Sequence, residues 1–318
     1  MTRPLCTLIT YCYNGERFVD KYFDALLAQT YPNVELFFYN NGSEDGTGAI
    51  AESYRQRLVD KGYIVNIEHF KKNQVTCSLK QDAMQRMHGE YFCGCDSDDI
   101  MYPQHIEKMV DYLQANADKG MVYCDLRIIE EDTGATKGTM HIKPQTVSRG
   151  GFVDCLMSRN ISFTAIAYMM RTSTWDSICK TREVYQTTYG ENYQLQLPFL
   201  YNDLQGYIAE TLGDYLVRSD SYTAKLRDYR KNLAALRAQE TTIEETLIRF
   251  DCPDREQYCL LARRRLRADQ LFIALGNGTR DELRECKSAL KEVGGLTMRI
   301  RLRSNRVVDR LIKKVRHR

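Results

Sequence analysis

Short apolar runs alternate with segments of helical periodicity over the first third of the chain. Apolar runs bounded by turn residues predict buried strands, whereas apolar residues three or four positions apart predict helices. Strands alternating with helices are typical of βαβ units, whose strands are parallel. The predicted strands are 5–11, 34–39, 63–68 and 90–95, and the helices between them lie near 18–31, 45–60 and 76–87.

The pattern changes towards the C-terminus. Further strands are predicted at 121–129, 163–170 and 206–216, and a helix begins close to Glu191. Amphipathic helical repeats without strand-like alternation follow. We therefore predict two regions, an α/β domain at 1–225 and a helical C-terminal region with a basic tail at 226–318.

Composition indicates a globular chain. Its 318 residues, 43% of them apolar and 27% charged, suffice for a full core. Apolar stretches fall far short of the roughly 20 residues of a membrane span, and no cleavable signal is recognisable at the N-terminus. We therefore expect a cytoplasmic location. The eleven cysteines show no repeated CxxC spacing, which favours reduced, buried thiols over disulfides or zinc ligands.

Charge is unevenly distributed, although the net charge is only +3. Residues 299–318 contain nine Lys or Arg and one acid, interspersed with Ile, Leu and Val. This pattern suits an interfacial helix on anionic lipid, and equally the solvated face of a last helix. The first interpretation places the protein on the inner face of the cell membrane. We expect no nucleic-acid partner.

The sequence CDSDDIM at 95–101 places three carboxylates within four positions, directly after an apolar run. Carboxylates this close repel one another unless a cation, a helix N-terminus or hydrogen-bond donors offset the repulsion. Ligands of parallel α/β sheets bind beyond the carboxyl ends of the strands. Asn41 and the acidic cluster both follow predicted strands, so they are candidates for one site. The alternative is that the carboxylates only cap a helix.

Four motifs in order resemble inverting family 2 glycosyltransferases of the GT-A fold, over roughly residues 4–225. They are YNGE after the first strand, NNGSEDGT after the second, KQDA on a helix, and GEYFCGCDSDD. The resemblance implies a Rossmann-like, mostly parallel sheet flanked by helices, here with a C-terminal helical extension. It also implies transfer of a sugar from a nucleotide donor.

The resemblance further implies a donor site at these motifs. Asp98 is the expected direct ligand of Mn²⁺ or Mg²⁺, and Asp96 would bind the ribose or a metal-bound water. Asp99 would cap a helix from Tyr102 or orient Asp98. The nucleotide-binding residues implied are Tyr11, Tyr13, Asn14, Glu16, Asn41, Lys80, Asp96 and Ser97.

Two of these positions have alternative interpretations. Asn41 stands where the family commonly has Asp, and an amide can still pair with a uracil-like edge. It is also an ordinary turn residue. Lys80 aligns with a basic position that reaches the phosphates, or it is a solvated helix lysine.

The catalytic base is less clearly marked. Relatives commonly carry Glu-Asp at the start of a late helix, with the Asp as general base, whereas this chain has Glu191 followed by Asn192. Glu191 is therefore the expected base, unless it only stabilises the helix N-terminus. Asp125 is the second catalytic candidate. None of the five histidines lies where relatives place a further metal ligand. Either Asp220 or Tyr222 would compensate, or Asp98, phosphates and water alone would hold the metal.

We therefore predict a metal-dependent inverting glycosyltransferase that moves a sugar from a nucleotide sugar, expected to be UDP-linked, to a glycan or lipid-linked acceptor in surface polysaccharide synthesis. Two alternatives are a non-catalytic nucleotide-sugar-binding protein and a nucleotidyltransferase. The latter should show a Gly-rich basic phosphate loop near the N-terminus, which YCYNGERF is not.

Overall fold

The computed structural model describes residues 3–141, 150–221, 226 and 228–294. Nine strands in these ranges form one sheet. They are β1 Cys6–Cys12, β2 Val34–Asn40, β3 Ile64–His69, β4 Tyr91–Gly94, β5 Ile100–Met101, β6 Met121–Glu130, β7 Thr136–Met140, β8 Tyr168–Arg171 and β9 Gln205–Val217.

Ten α-helices lie in the same described ranges. They are α1 Glu16–Leu27, α2 Thr47–Asp60, α3 Thr76–Arg86, α4 His105–Ala115, α5 Gly151–Leu156, α6 Thr172–Ile178, α7 Glu191–Tyr201, α8 Tyr229–Leu247, α9 Arg255–Asn277 and α10 Arg280–Glu292.

The first half of the sheet is parallel, as the βαβ pattern predicts. The strand order is β3-β2-β1-β4-β8-β6-β9-β5, and β7 pairs with β6. β1 pairs in parallel with both β2 and β4. Because Cys12 lies opposite Asn40 in the ladder, β1 and β2 end at the same edge. The polar loops that follow them are therefore neighbours.

The second half of the sheet is mixed. β8 is antiparallel to both β4 and β6, whereas β9 is parallel to β6. The strand predicted at 163–170 is replaced by a 3-10 turn, Ala165–Ala167, ahead of the short β8. α7 explains the difference, because Asn192 and Gln196 donate hydrogen bonds to the carbonyls of Phe163 and Ser162. These bonds hold the segment before β8 against α7.

The C-terminal helices pack directly on the α/β domain. Ile243, Leu247 and Phe250 are buried in the same apolar core as the strands. The Thr242 hydroxyl, on α8, donates a hydrogen bond to the carbonyl of Tyr189, just ahead of α7. The apolar core thus continues across residue 225, and the division of the chain into two regions there remains a prediction.

Within the described ranges, none of the helices combines the length and apolar character that a bilayer span requires. The basic tail at 299–318 and Tyr222 lie outside the described residues, so the predictions about them remain predictions.

Candidate functional site

Hydrogen bonds join the loops after β1 and β2 to each other. The backbone N–H of Asn14 donates to Ser43 Oγ at 2.9 Å, and Asn14 Oδ1 accepts from the N–H of Glu44 at 2.9 Å. Glu16 Oε2 accepts from the N–H of Gly46 at 2.9 Å. Asn14 adopts φ +50°, which Asn tolerates better than most residues. Two of the predicted nucleotide-binding residues thus hold the loops together.

Two tyrosines flank this junction. The Tyr11 ring lies 6.0 Å from the Tyr39 ring in a stacked arrangement. It also lines a cleft beyond the carboxyl end of β1, which Lys80, Asp96 and Glu191 line as well. Burial raises the pKa of Tyr11 well above its ordinary value, and the nearby Glu191 charge adds to the effect. Tyr13, by contrast, lies in the loop after β1 and is 52% exposed. An exposed aromatic side chain is available for stacking on a planar ligand.

The amide of Asn41 is hydrogen-bonded to the backbone of another loop. Its Nδ2 donates to the carbonyl of Gln74 at 3.0 Å, and its Oδ1 accepts from the N–H of Gln74 at 2.7 Å. Asn41 is 3% exposed. The next residue, Gly42, has φ +78° and lies against the backbone of Lys72, where a Cβ would come within 2.5 Å of the carbonyl carbon. Asn41 therefore joins two loops in this structure, and contact with a base remains a prediction.

The three carboxylates after β4 have three different environments. Asp96 is open to the cleft and lines it. The surrounding protein atoms disfavour its charged form, and the charges of Asp98 and Glu191 add to this, so the pKa of Asp96 is raised to about 7. Asp99 is 1% exposed, and burial together with the charges of Asp96 and Asp98 raises its pKa well above the ordinary value.

Asp99 does not cap a helix. Its Oδ1 accepts a hydrogen bond from the N–H of Leu216 at 3.0 Å, which ties the acidic loop to β9. α4 begins at His105 with Gln104 in the capping position. The prediction that Asp99 caps a helix starting near Tyr102 is therefore wrong, because the backbone after Asp99 first forms the short strand β5.

Asp98 is paired with a cation that belongs to the chain itself. Arg218, directly after β9, donates from Nε to Asp98 Oδ2 at 2.7 Å. Arg218 also contacts Asp220 at 2.9 Å. Asp220 is among the residues predicted for this region from the sequence, whereas Arg218, two positions before it, is not.

Glu191 and Lys80 meet across the cleft. Lys80 Nζ lies 3.4 Å from Glu191 Oε1, and the Lys80 side chain is 7% exposed. The Thr76 hydroxyl donates to Glu191 Oε2 at 2.8 Å. Burial acts to raise the pKa of Glu191, but the Lys80 charge and the donors around the carboxylate outweigh it, so the pKa lies below its ordinary value. Glu191 is thus ionised at neutral pH.

Asn192, which follows Glu191, and Asp125, the second catalytic candidate, have other partners. Asn192 Nδ2 donates to the carbonyl of Phe163 at 2.5 Å, and its Oδ1 accepts from the hydroxyl of Tyr168 at 3.0 Å. Asp125, on β6, accepts from the Tyr207 hydroxyl at 2.7 Å and contacts His141 Nδ1 at 2.7 Å. Asp125 is not among the described residues that line the cleft.

The floor of the cleft is a cavity of about 50 Å³, which is room for a few water molecules. It lies at the carboxyl ends of β1 and β4, where a parallel sheet presents its ligand site. Its polar lining residues are Tyr11, Lys80, Asp96, Tyr168, Glu191 and Asn192. Of the predicted site residues, the fold thus gathers Tyr11, Lys80, Asp96 and Glu191 at one place.

Divalent cations such as Mg²⁺ prefer oxygen ligands and are commonly held by one or two carboxylates together with substrate phosphates. Asp96 and Asp98 supply that donor chemistry, and Asp99 Oδ2 is buried without a hydrogen-bond partner among the described residues. Across the described ranges, no three or more His, Cys, Asp or Glu side chains converge on a metal position. These carboxylates therefore fit a divalent cation whose remaining ligands a diphosphate would supply.

The mixed sheet and its flanking helices form the GT-A fold. The family model for glycosyl transferase family 2 matches residues 7–176, over half of the chain, so the chain belongs to this family. It is 27% identical over 227 residues to the putative glycosyltransferase EpsE of Bacillus subtilis (strain 168), covering 71% of this chain and 77% of EpsE.

Two solved structures share the fold. TarS of S. aureus, in complex with UDP-GlcNAc, aligns with a TM-score of 0.66 at 14% identity, over 91% of this chain and 80% of that one. The mannosyltransferase PcManGT of Pyrobaculum calidifontis, in complex with GDP-Man and Mn²⁺, aligns with a TM-score of 0.55 at 15% identity, over 93% and 81%. The predicted GT-A fold and glycosyltransferase class are confirmed.

Proposed function

We propose that the protein is a metal-dependent, inverting glycosyltransferase that transfers a sugar from a UDP-linked donor to a hydroxyl of a glycan or lipid-linked acceptor in surface polysaccharide synthesis. The observation that carries the proposal is the convergence of Asp96, Lys80 and Glu191 on one cleft at the carboxyl ends of β1 and β4. The nucleotide sugars bound by TarS and PcManGT, and the Mn²⁺ of PcManGT, support the donor class and the cation.

The residues of the cleft divide between donor and acceptor. Tyr13 would stack on the base, and the loops held by Asn14 and Glu16 would form the wall beside it. Mn²⁺ or Mg²⁺ at Asp98 would supply positive charge to the departing diphosphate. Lys80, a buried cation beside Asp96, would add to that charge.

Glu191 would act on the acceptor. Its carboxylate is ionised and can take the proton of an acceptor hydroxyl as the oxygen attacks the anomeric carbon. The new C–O bond forms on the face opposite the bond to the leaving diphosphate, so a single displacement inverts the configuration.

The first test identifies the donor. Nucleotide sugars are screened for thermal stabilisation with and without Mn²⁺, since a donor at a hundred times its dissociation constant adds about 2.7 kcal/mol to stability. Asp98→Ala should lose the metal-dependent part of this gain while unfolding cooperatively. Unchanged metal dependence in Asp98→Ala would remove Asp98 from the site.

The second test addresses catalysis. Glu191→Gln keeps the shape of the side chain and removes its basicity, so we expect near-normal donor affinity with turnover reduced by about a hundred- to ten-thousand-fold. Glu183→Gln, an exposed glutamate ahead of α7, is the matched control. A wild-type rate in Glu191→Gln would place the base elsewhere, with Asp125 the next candidate. Donor binding without any turnover by the wild type would favour a binding protein.

A further inference from the structure

Arg218 reaches from the end of β9 to the acidic loop after β4. Its Nε lies 2.7 Å from Asp98 Oδ2, and the two side chains are only 20% and 17% exposed. A pair so shielded from water is held more strongly than an open surface pair. The carboxylate expected to bind a divalent cation thus already has a cationic partner.

Further contacts fix the position of this guanidinium. It lies 4.7 Å from the centre of the Phe18 ring and donates to Asp220 at 2.9 Å. Arg17 lies 4.5 Å from the same ring and contacts Asp220 at 2.6 Å and Glu131 at 3.2 Å. Both stacking on an aromatic face and multiple hydrogen bonds suit an arginine better than a lysine. Arg218 is therefore held in place by Phe18 and Asp220 as well as by Asp98.

A divalent cation and Arg218 need the same carboxylate. A metal ion bound at Asp98 would lie next to the guanidinium of Arg218. Two neighbouring cations repel each other strongly where water is partly excluded. The described residues also bring no three metal-ligating side chains together around Asp98. Asp98 Oδ2 is therefore open to a metal ion only after Arg218 has moved.

We propose that Arg218 is a built-in counter-cation of Asp98, which a divalent metal must displace before it binds. The inference rests on the cation site of the proposed function and adds a residue that controls its affinity. One consequence is that the free protein binds the metal weakly. Diphosphate oxygens then supply the additional ligands and negative charge that make the exchange favourable.

The test measures Mn²⁺ binding to the protein alone, without nucleotide, by the electron paramagnetic resonance signal of free Mn²⁺. Arg218→Gln removes the competitor and should bind Mn²⁺ at least about fivefold more tightly than the wild type. Arg17→Gln is the matched control. Arg17 carries the same charge and also contacts the Phe18 ring and Asp220, but it does not contact Asp98. We expect the gain in Arg218→Gln to exceed that in Arg17→Gln, and to persist at high salt, where the general charge effect is screened.

Two further variants complete the design. Adding Asp98→Asn to Arg218→Gln should abolish the gain, which assigns it to this carboxylate. Arg218→Met keeps an unbranched stem against Phe18 and replaces Arg218→Gln if the latter fails to unfold cooperatively. Equal affinities in the Arg218 and Arg17 variants, or no Mn²⁺ binding in either, would overturn the proposal. Since no nucleotide is present, either result is separate from donor binding and turnover, which test the proposed function.

Discussion

The Lys80 ammonium and the Glu191 carboxylate form a 3.4 Å ion pair that joins α3 to the first turn of α7. The pair places the residue predicted to face the diphosphate in contact with the residue predicted to activate the acceptor. A phosphate beside Lys80 would compete for its charge, and Glu191 would then become a stronger base. Under the proposed function, donor binding and base strength would therefore be coupled through one lysine.

Thr76 should tune the basicity of Glu191. Thr76→Val keeps the shape but removes the hydroxyl that donates to Oε2 at 2.8 Å. The pKa of Glu191, held below its ordinary value in part by this bond, should rise. The acid limb of the pH profile of donor turnover should then move to higher pH. Thr76→Ser retains the hydroxyl and should leave the profile in place. Identical profiles for the Val and Ser variants would show that Thr76 has only a packing role.

Asn192→Asp should not restore the base that relatives have at this position. The Asn192 amide donates to the carbonyl of Phe163. A carboxylate at this position would lie against the carbonyl oxygen and would have no proton to donate to it. We expect a loss of about 1–3 kcal/mol in the free energy of unfolding, measured by urea denaturation at neutral pH. We also expect Glu191→Gln with Asn192→Asp to be no faster than Glu191→Gln alone. A gain in turnover would mean that the side chain can turn towards the acceptor.

His105 should make stability depend on pH. It is fully buried, its Nδ1 contacts the carbonyl of Leu212 at 3.0 Å, and burial lowers its pKa to about 4. Because the unfolded chain binds this proton near its ordinary pKa of about 6.5, the folded state loses stability as pH falls from there towards 4.

The expected loss at His105 is about 3 kcal/mol between those two pH values. Urea unfolding of wild type and His105→Gln across this range isolates the effect, which the variant should lack. His69→Gln removes a partly exposed histidine and serves as the control. Parallel pH curves for wild type and His105→Gln would exclude His105 as the cause.

The C-terminal helices should unfold together with the sheet. Phe250 is 2% exposed, and its ring lies 5.4 Å from that of Tyr201 on α7. Phe250→Ala should cost about 3–5 kcal/mol. The transition followed by the fluorescence of Trp175, the single tryptophan, should shift with that followed by far-ultraviolet circular dichroism. Leu275→Ala, at a 46% exposed position, should change little. A Trp175 transition that stays in place would indicate two independent domains.

Local patterns were sufficient to predict the parallel half of the sheet and the ends of its strands. The buried runs at β1 and β2 have the apolar continuity of strands covered on both faces. They end in polar turns, and the acidic cluster follows β4. These signals lie within a few residues of each other, so a single sequence reveals them.

Side-chain partners distant in sequence could not be predicted. Arg218 and Asp98 are 120 positions apart, and no local period relates them. Asn41 has the composition of a turn residue, yet its amide is used by Gln74, 33 positions away. Asp125 carries a carboxylate like the others, but Tyr207 and His141 hold it. Only the packing of several elements decides which polar groups face the cleft and which satisfy one another.

The cross-linked loops after β1 and β2 have a consequence for the entropy of binding. Segments that hydrogen-bond through Asn14, Ser43 and Glu16 lose their conformational freedom when the chain folds. A ligand that settles between them therefore loses mainly its own translational and rotational freedom, with little added for ordering the loops. The loops are ordered when the chain folds, so ordering them does not weaken ligand binding. A flexible pair of loops would lose this conformational entropy each time a ligand binds.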